Sequence, residues 1–144
     1  MSAAEKQAPL TPPIADRDAF KPGAPRNELK RWWFATGNSI KGYRSVWRDE
    51  AAFRAEVIGL ILLIVPAWWL AETWTGFALL LSVWVLVIAG ELVNSAIEAS
   101  IDRIGPEMHR LSGKAKDAGS ALVLTLMTLA VLVWLAVIAD RLLA

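Results

Sequence analysis

From Val57 onward the chain alternates long apolar stretches with short charged ones. Three stretches carry no charge at all: 57–71, 73–90 and 118–139. Crossing the hydrocarbon core takes about 20 residues of helix. The third stretch is long enough alone, the second when its helix continues through ELVNSAI, and the first when it is extended back through DEAAFRAE, whose charges then lie at headgroup level. The pattern predicts an all-α membrane protein with spans over about 50–71, 73–103 and 116–140, broken at 72–76 and 105–116.

Upstream, LKRWWFATGNSIKGYRSVW sets Leu29, Trp33, Ile40, Tyr43 and Trp47 at approximately helical spacing, with Lys30, Lys41, Arg44 and Arg48 among them. Bulky apolar residues interleaved with cations suit an amphipathic helix lying on an anionic leaflet, here over about 29–48. Gly37 and Gly42 weaken that helix and mark where it would bend. Residues 1–28, proline-rich and charged with no apolar core, read as a disordered cytoplasmic leader rather than a signal peptide. Residues 29–144 read as one membrane domain.

Charge sets the orientation. Every Lys and Arg except Arg141 lies at or before Arg54 or between Arg103 and Lys116. Short positive loops stay in the cytoplasm, which places the N-terminus and the 105–116 connection inside, while the AETWTG turn and the C-terminus face out. Trp74 near one boundary, and Trp32, Trp33 and Trp47 near the other, suit the aromatic belts. With no cysteine and one histidine, His109, a metal would have to be held by carboxylates, which points to Mg²⁺ rather than zinc. No nucleic-acid partner is expected.

One apolar helix carries an anomaly. In GELVNSAIEASIDRIG, Glu91, Asn94, Glu98 and Asp102 fall within about 80° of each other at 100° per residue. Asn94 and Ser95 alone would serve as glue between helices, but ionised groups beside hydrocarbon are costly and are usually tied to a cation, a proton path or a partner. Glu91 and Glu98 lie two turns apart, about 10 Å, which is too far for one ion and suitable for two tasks. Glu50, just before the first span on the same side, can meet Glu98 across helices and hold a divalent cation, or pair with Arg54 four residues on. Lys114, Lys116 and Asp117, read as part of a loop HRLSGKAKDAGS, bring cations that suit phosphate oxygens. The SGK triplet is no P-loop, because Met108 stands where the motif requires Gly.

DEAAFRAE, ELVNSAIEASIDRIGPEMH and LSGKAKDAGSA, in this order and with these apolar runs between them, resemble the prokaryotic integral-membrane diacylglycerol kinase family over about residues 31–142. The resemblance implies a homotrimer of three-span subunits in the bacterial inner membrane, transferring the ATP γ-phosphate to diacylglycerol to give phosphatidate. It implies Glu91 as proton acceptor with Asn94 and Lys116 beside it in catalysis, and Glu50 and Glu98 as Mg²⁺ ligands. Arg31, Asn38, Glu50, Glu98, Glu107, Met108, His109, Lys116 and Asp117 would surround the nucleotide. Ala35, Ser39, Arg44, Trp47, Ala52, Phe53, Arg54, Ala55, Glu56, Glu91 and Ser120 would face the lipid. Asn38 and Met108 depart from the family's usual aromatic residues. Undecaprenol kinase shares the E-x-x-N-x-x-x-E helix and the A-K-D triplet and is the alternative lipid kinase. A non-catalytic subunit or proton relay using Glu91 and Glu98 is the alternative of another class, and it leaves the lysines of 110–116 and the second acidic element unexplained.

Overall fold

A computed structural model describes residues 28–105 and 109–143, and every regular element among them is a helix. We label these α1 (Glu28–Asp49), α2 (Ala51–Leu70), α3 (Trp74–Ile104) and α4 (Arg110–Leu143). The last three are long and apolar enough to cross a membrane, as the hydropathy pattern predicts. The leader falls outside the described residues. The chain divides into two compact units at Lys41/Gly42, so α1 starts in the first and ends in the second.

Two expectations change. Helix α1 runs unbroken through Gly37 and Gly42. The connection after α3 is shorter than 105–116, because α4 begins at Arg110 and takes in Lys114, Lys116 and Asp117. The physical reason is that Arg, Leu, Lys and Ala are good helix formers, so polarity here marks a helix leaving the hydrocarbon rather than a loop.

The element ends have local causes. Glu50 is extended (φ −110°, ψ 117°) and separates α1 from α2. That corner is closed by Phe53, 2 % exposed, whose ring meets Tyr43 at 6.3 Å and Trp47 at 6.4 Å. Arg54 Nη1 donates to the last carbonyls of α1, those of Trp47 (2.9 Å) and Arg48 (3.0 Å), which compensates acceptors left open at a helix C-terminus. Thr73 caps α3, its hydroxyl accepting from Gly76 N at 3.0 Å. Gly105 ends α3 at φ 145°, a conformation that only glycine adopts readily.

Helix α3 packs against both α2 and α4, which touch each other little. Ala67 and Leu70 pack on Leu80 near the 71–73 turn, and Val83 and Val87 pack on Ala130 further along. Arg141 Nη1 pairs with Glu72 Oε1 at 2.7 Å. Two indole N–H groups cross between helices to backbone oxygens: Trp134 Nε1 to Leu80 O at 3.2 Å and Trp84 Nε1 to Glu56 O at 2.7 Å. In a medium without water such donors need a protein acceptor. Trp68, Trp74 and Phe77 gather edge to face beside the 71–73 turn, the amphipathic cluster expected at a membrane boundary. The opposite end holds the acidic stripe.

Candidate active site

The stripe lies on the inward face of α3, and its burial is graded. Glu91 is 5 % exposed and Asn94 9 % exposed, Glu98 is half-buried and Asp102 is exposed. Asn94 Nδ2 donates to Glu98 Oε1 at 3.1 Å. This contact is the helical i,i+4 neighbour relation.

Glu50 reaches the same level from α2. Counting from the Trp84–Glu56 bond, Glu91 lies seven residues on along α3 and Glu50 six residues back along α2. At 1.5 Å per residue both sit about 10 Å toward the same end. Glu50 and Glu98 both act electrostatically on Glu91, and Glu56, 7 % exposed, is within electrostatic reach of it too. Glu50 just before α2, Glu56 on α2, and Glu91 and Glu98 on α3 thus lie toward one end of the bundle.

The Glu50 side chain caps no backbone amide, and Arg54 turns to the α1 carbonyls instead of pairing with it. The i,i+4 ion pair weighed for these residues does not form. Among the described residues no group of three or more His, Cys, Asp or Glu makes a ready metal cage. Mg²⁺ commonly takes only one or two carboxylates and completes its shell with water and phosphate oxygens. Glu50 and Glu98, oxygen donors from the start of α2 and from α3 that both lie within electrostatic reach of Glu91, fit that requirement in donor type and number.

Helix α4 supplies the cation. Lys116 Nζ donates to Asp102 Oδ1 at 2.5 Å, with Glu98 also within electrostatic reach. The two side chains are 38 % and 66 % exposed, and solvent screens such pairs until they contribute little to stability. The contact therefore places the ammonium beside the stripe more than it stabilises the fold. Asp102→Asn should accordingly leave the melting temperature almost unchanged.

Close approach of α4 to the stripe depends on Gly119. A Cβ there would lie 2.5 Å from Asn94 Oδ1. Three buried side-chain atoms in this region have no hydrogen-bond partner: Glu56 Oε2, Asn94 Oδ1 and Ser95 Oγ. Ser82, Ser100, Thr125 and Thr128 each donate to the carbonyl four residues back, whereas Ser95 does not. Ser95, 7 % exposed and one turn beyond Glu91, had only the role of helix glue in the sequence. Its signal was its place on the Glu91 face.

Phe53, Trp47 and Arg54 build the α1–α2 corner. Arg44, Ala52, Ala55, Asp117 and Ser120 are exposed in the single chain. Ala35, Asn38 and Ser39 are exposed on the first part of α1, where Ser39 Oγ donates to Ala35 O at 3.1 Å. His109 is exposed and its Nδ1 accepts from Leu111 N at 3.2 Å, at the start of α4. Glu107, Met108 and the side chain of Arg31 lie outside the described residues.

A family model described as prokaryotic diacylglycerol kinase matches residues 37–138. A diacylglycerol kinase of Escherichia coli K12 is 50% identical over 100 residues, covering 69% of this chain and 82% of the relative. That of Haemophilus influenzae is 43% identical over 100 residues (69% and 85%). That of Pseudomonas aeruginosa is 42% identical over 106 residues (74% and 86%).

Proposed function

The chain belongs to the prokaryotic diacylglycerol kinase family, a multi-pass membrane kinase that uses a nucleotide co-substrate, and from that premise we propose how its residues divide the reaction. The lipid acceptor is 1,2-diacylglycerol, the phosphoryl donor is ATP with Mg²⁺, and the products are phosphatidate and ADP. The observation that carries this reading is the convergence of Glu50, Glu56 and Glu98 around the buried Glu91, with Lys116 one step further toward water.

Glu91, the most buried of the four on α3, takes the proton of the lipid hydroxyl as that oxygen forms its bond to the γ-phosphorus. The bond from that phosphorus to the bridging oxygen breaks and ADP leaves. Asn94 holds Glu98 in place through its amide. Glu50 and Glu98 would hold Mg²⁺, which when bound neutralises phosphate charge. Lys116 offers its ammonium to the phosphate oxygens, exchanging its exposed ion pair with Asp102 for one with phosphate. Asp117, Arg31, Asn38 and the residues 107–109 are assigned to the nucleotide. Ala35, Ser39, Arg44, Trp47, Ala52 to Glu56 and Ser120 are assigned to the lipid.

The unit at work is a homotrimer in the inner membrane, the N-terminus cytoplasmic and the C-terminus periplasmic. Residues 29–144 act as the kinase domain, with α1 lying along the membrane surface. Extensive exposed apolar area on α2 and α4 supports burial against lipid and further copies.

Purified protein in mixed micelles with labelled ATP should label phosphatidate when diacylglycerol is supplied. Labelled undecaprenyl phosphate from undecaprenol, with diacylglycerol inert, would overturn the acceptor assignment. Glu50→Gln and Glu98→Gln should each raise the Mg²⁺ concentration needed for half-maximal turnover, because each removes charge from an oxygen-only site. Unchanged metal titrations in both would remove these residues from the cation site.

A further inference from the structure

Trp84 lies inside an apolar stretch and touches none of the reacting groups, yet two contacts tie it to the α2 residues that flank the site. Its Nε1 donates to the backbone oxygen of Glu56 at 2.7 Å. Its ring covers Gly59 so closely that a Cβ on Gly59 would lie 2.8 Å from Trp84 Cζ2 and 3.3 Å from Cε2. The indole therefore fits into a gap that glycine leaves in α2 and closes that fit with a directional bond.

The bond is made to a helix carbonyl, which has a second lone pair beyond its own helical partner. It fixes the register of two spans whose other packing is by non-directional apolar contact. That register decides how far along α3 the side chains of Glu56 and Glu50 stand from Glu91. Sliding α2 by one residue would move both by about 1.5 Å and turn them by 100°, while a shift near 1 Å in a catalytic geometry already has large consequences.

We propose that Trp84 is a positioning residue for the lipid acceptor, acting through the Glu56 backbone to hold the start of α2 in register with the proton acceptor on α3. This rests on the assignment of Glu56 to the lipid side made above. The chain supplies its own control, because Trp134 makes the same kind of bond, Nε1 to Leu80 O at 3.2 Å, in the half of the bundle away from the carboxylates. If indole bonds matter only because a buried donor needs an acceptor, Trp84 and Trp134 should behave alike.

The test compares Trp84→Phe with Trp134→Phe in the full-length protein, measuring thermal stability, the KM for diacylglycerol, the KM for MgATP and kcat. Both should lose similar stability. Only Trp84→Phe should raise the lipid KM, roughly five-fold, the worth of one hydrogen bond, with the MgATP KM unchanged. Gly59→Ala, which displaces the indole without altering it, should reproduce that pattern and stands in should Trp84→Phe fail to fold. Equal behaviour of the two Trp variants, or a parallel rise in both KM values, overturns the proposal. Glu56→Gln is measured alongside: an unchanged lipid KM there refutes the lipid role of Glu56 and the proposal with it. A raised lipid KM in Glu56→Gln, with Trp84→Phe and Gly59→Ala at wild-type values, refutes the role of Trp84 alone.

Discussion

Replacing Glu91 by Gln should lower phosphoryl transfer by roughly 10²- to 10⁴-fold, the usual contribution of a positioned general base, while MgATP binding and the assembled protein persist. A lipid hydroxyl is a weak nucleophile until its proton has an acceptor. Gln keeps the size and one oxygen of the side chain but cannot take that proton. Stability should not suffer, since Glu91 is 5 % exposed and has no cation paired to it among the described residues. Removing a buried charge that lacks a counter-ion relieves desolvation rather than creating it. Turnover, nucleotide affinity and oligomer size measured on one preparation decide the matter. Normal turnover would sink the assignment, and loss of assembly in parallel with turnover would make Glu91 a structural residue.

Gly119→Ala should reduce activity while leaving the protein folded. The added Cβ would come within 2.5 Å of Asn94 Oδ1 and 3.5 Å of Asn94 Cγ and Ile97 Cδ1. The first of these atoms is the far end of a two-torsion side chain, so Asn94 can yield by rotating, and overpacking of this kind costs about 1–3 kcal/mol. Rotation takes the amide away from Glu98, to which it now donates at 3.1 Å, and so loosens a carboxylate assigned to the cation. We expect turnover to fall on the order of ten-fold or more, as misplaced catalytic groups commonly cause, with a raised Mg²⁺ requirement and only a modest drop in melting temperature. A variant that unfolds but retains full specific activity in its folded fraction would show that the glycine serves packing alone.

The spans and the one-sided stripe were legible because each depends on a single local property, apolar length in one case and helical angle in the other. Glu91, Asn94, Glu98 and Asp102 share a face in any α-helix, whatever surrounds them. What was hidden depended on neighbours. A pair with Arg54 was one of two readings open for Glu50, four residues back, but the open carbonyls of Trp47 and Arg48 lie within reach of Arg54 and accept from it instead. Lys116 looked like part of a loop because Gly, Ser, Lys and Asp surround it, and Gly113, which meets nothing within 4 Å, does not interrupt α4. Trp84 was indistinguishable from other apolar residues until the fold set it over Gly59.

The unequal lengths of the three spans carry one more consequence. Helix α2 has 20 residues, α3 31 and α4 34, or about 30, 46 and 51 Å at 1.5 Å per residue. Their ends are nearly level at the 71–73 turn, where Glu72 meets Arg141, so the surplus of α3 and α4 collects at the end that holds the carboxylates. Glu91 stands 17 residues beyond Trp74, about 26 Å along the axis, and Glu98 about 36 Å. A hydrocarbon core about 30 Å thick therefore ends between them when α3 runs along the bilayer normal. The bundle is thereby a gauge of membrane thickness: a thicker bilayer would submerge Glu98 in acyl chains, and a thinner one would bring water to Glu91, so hydrophobic mismatch acts directly on the two carboxylates proposed as cation ligand and proton acceptor.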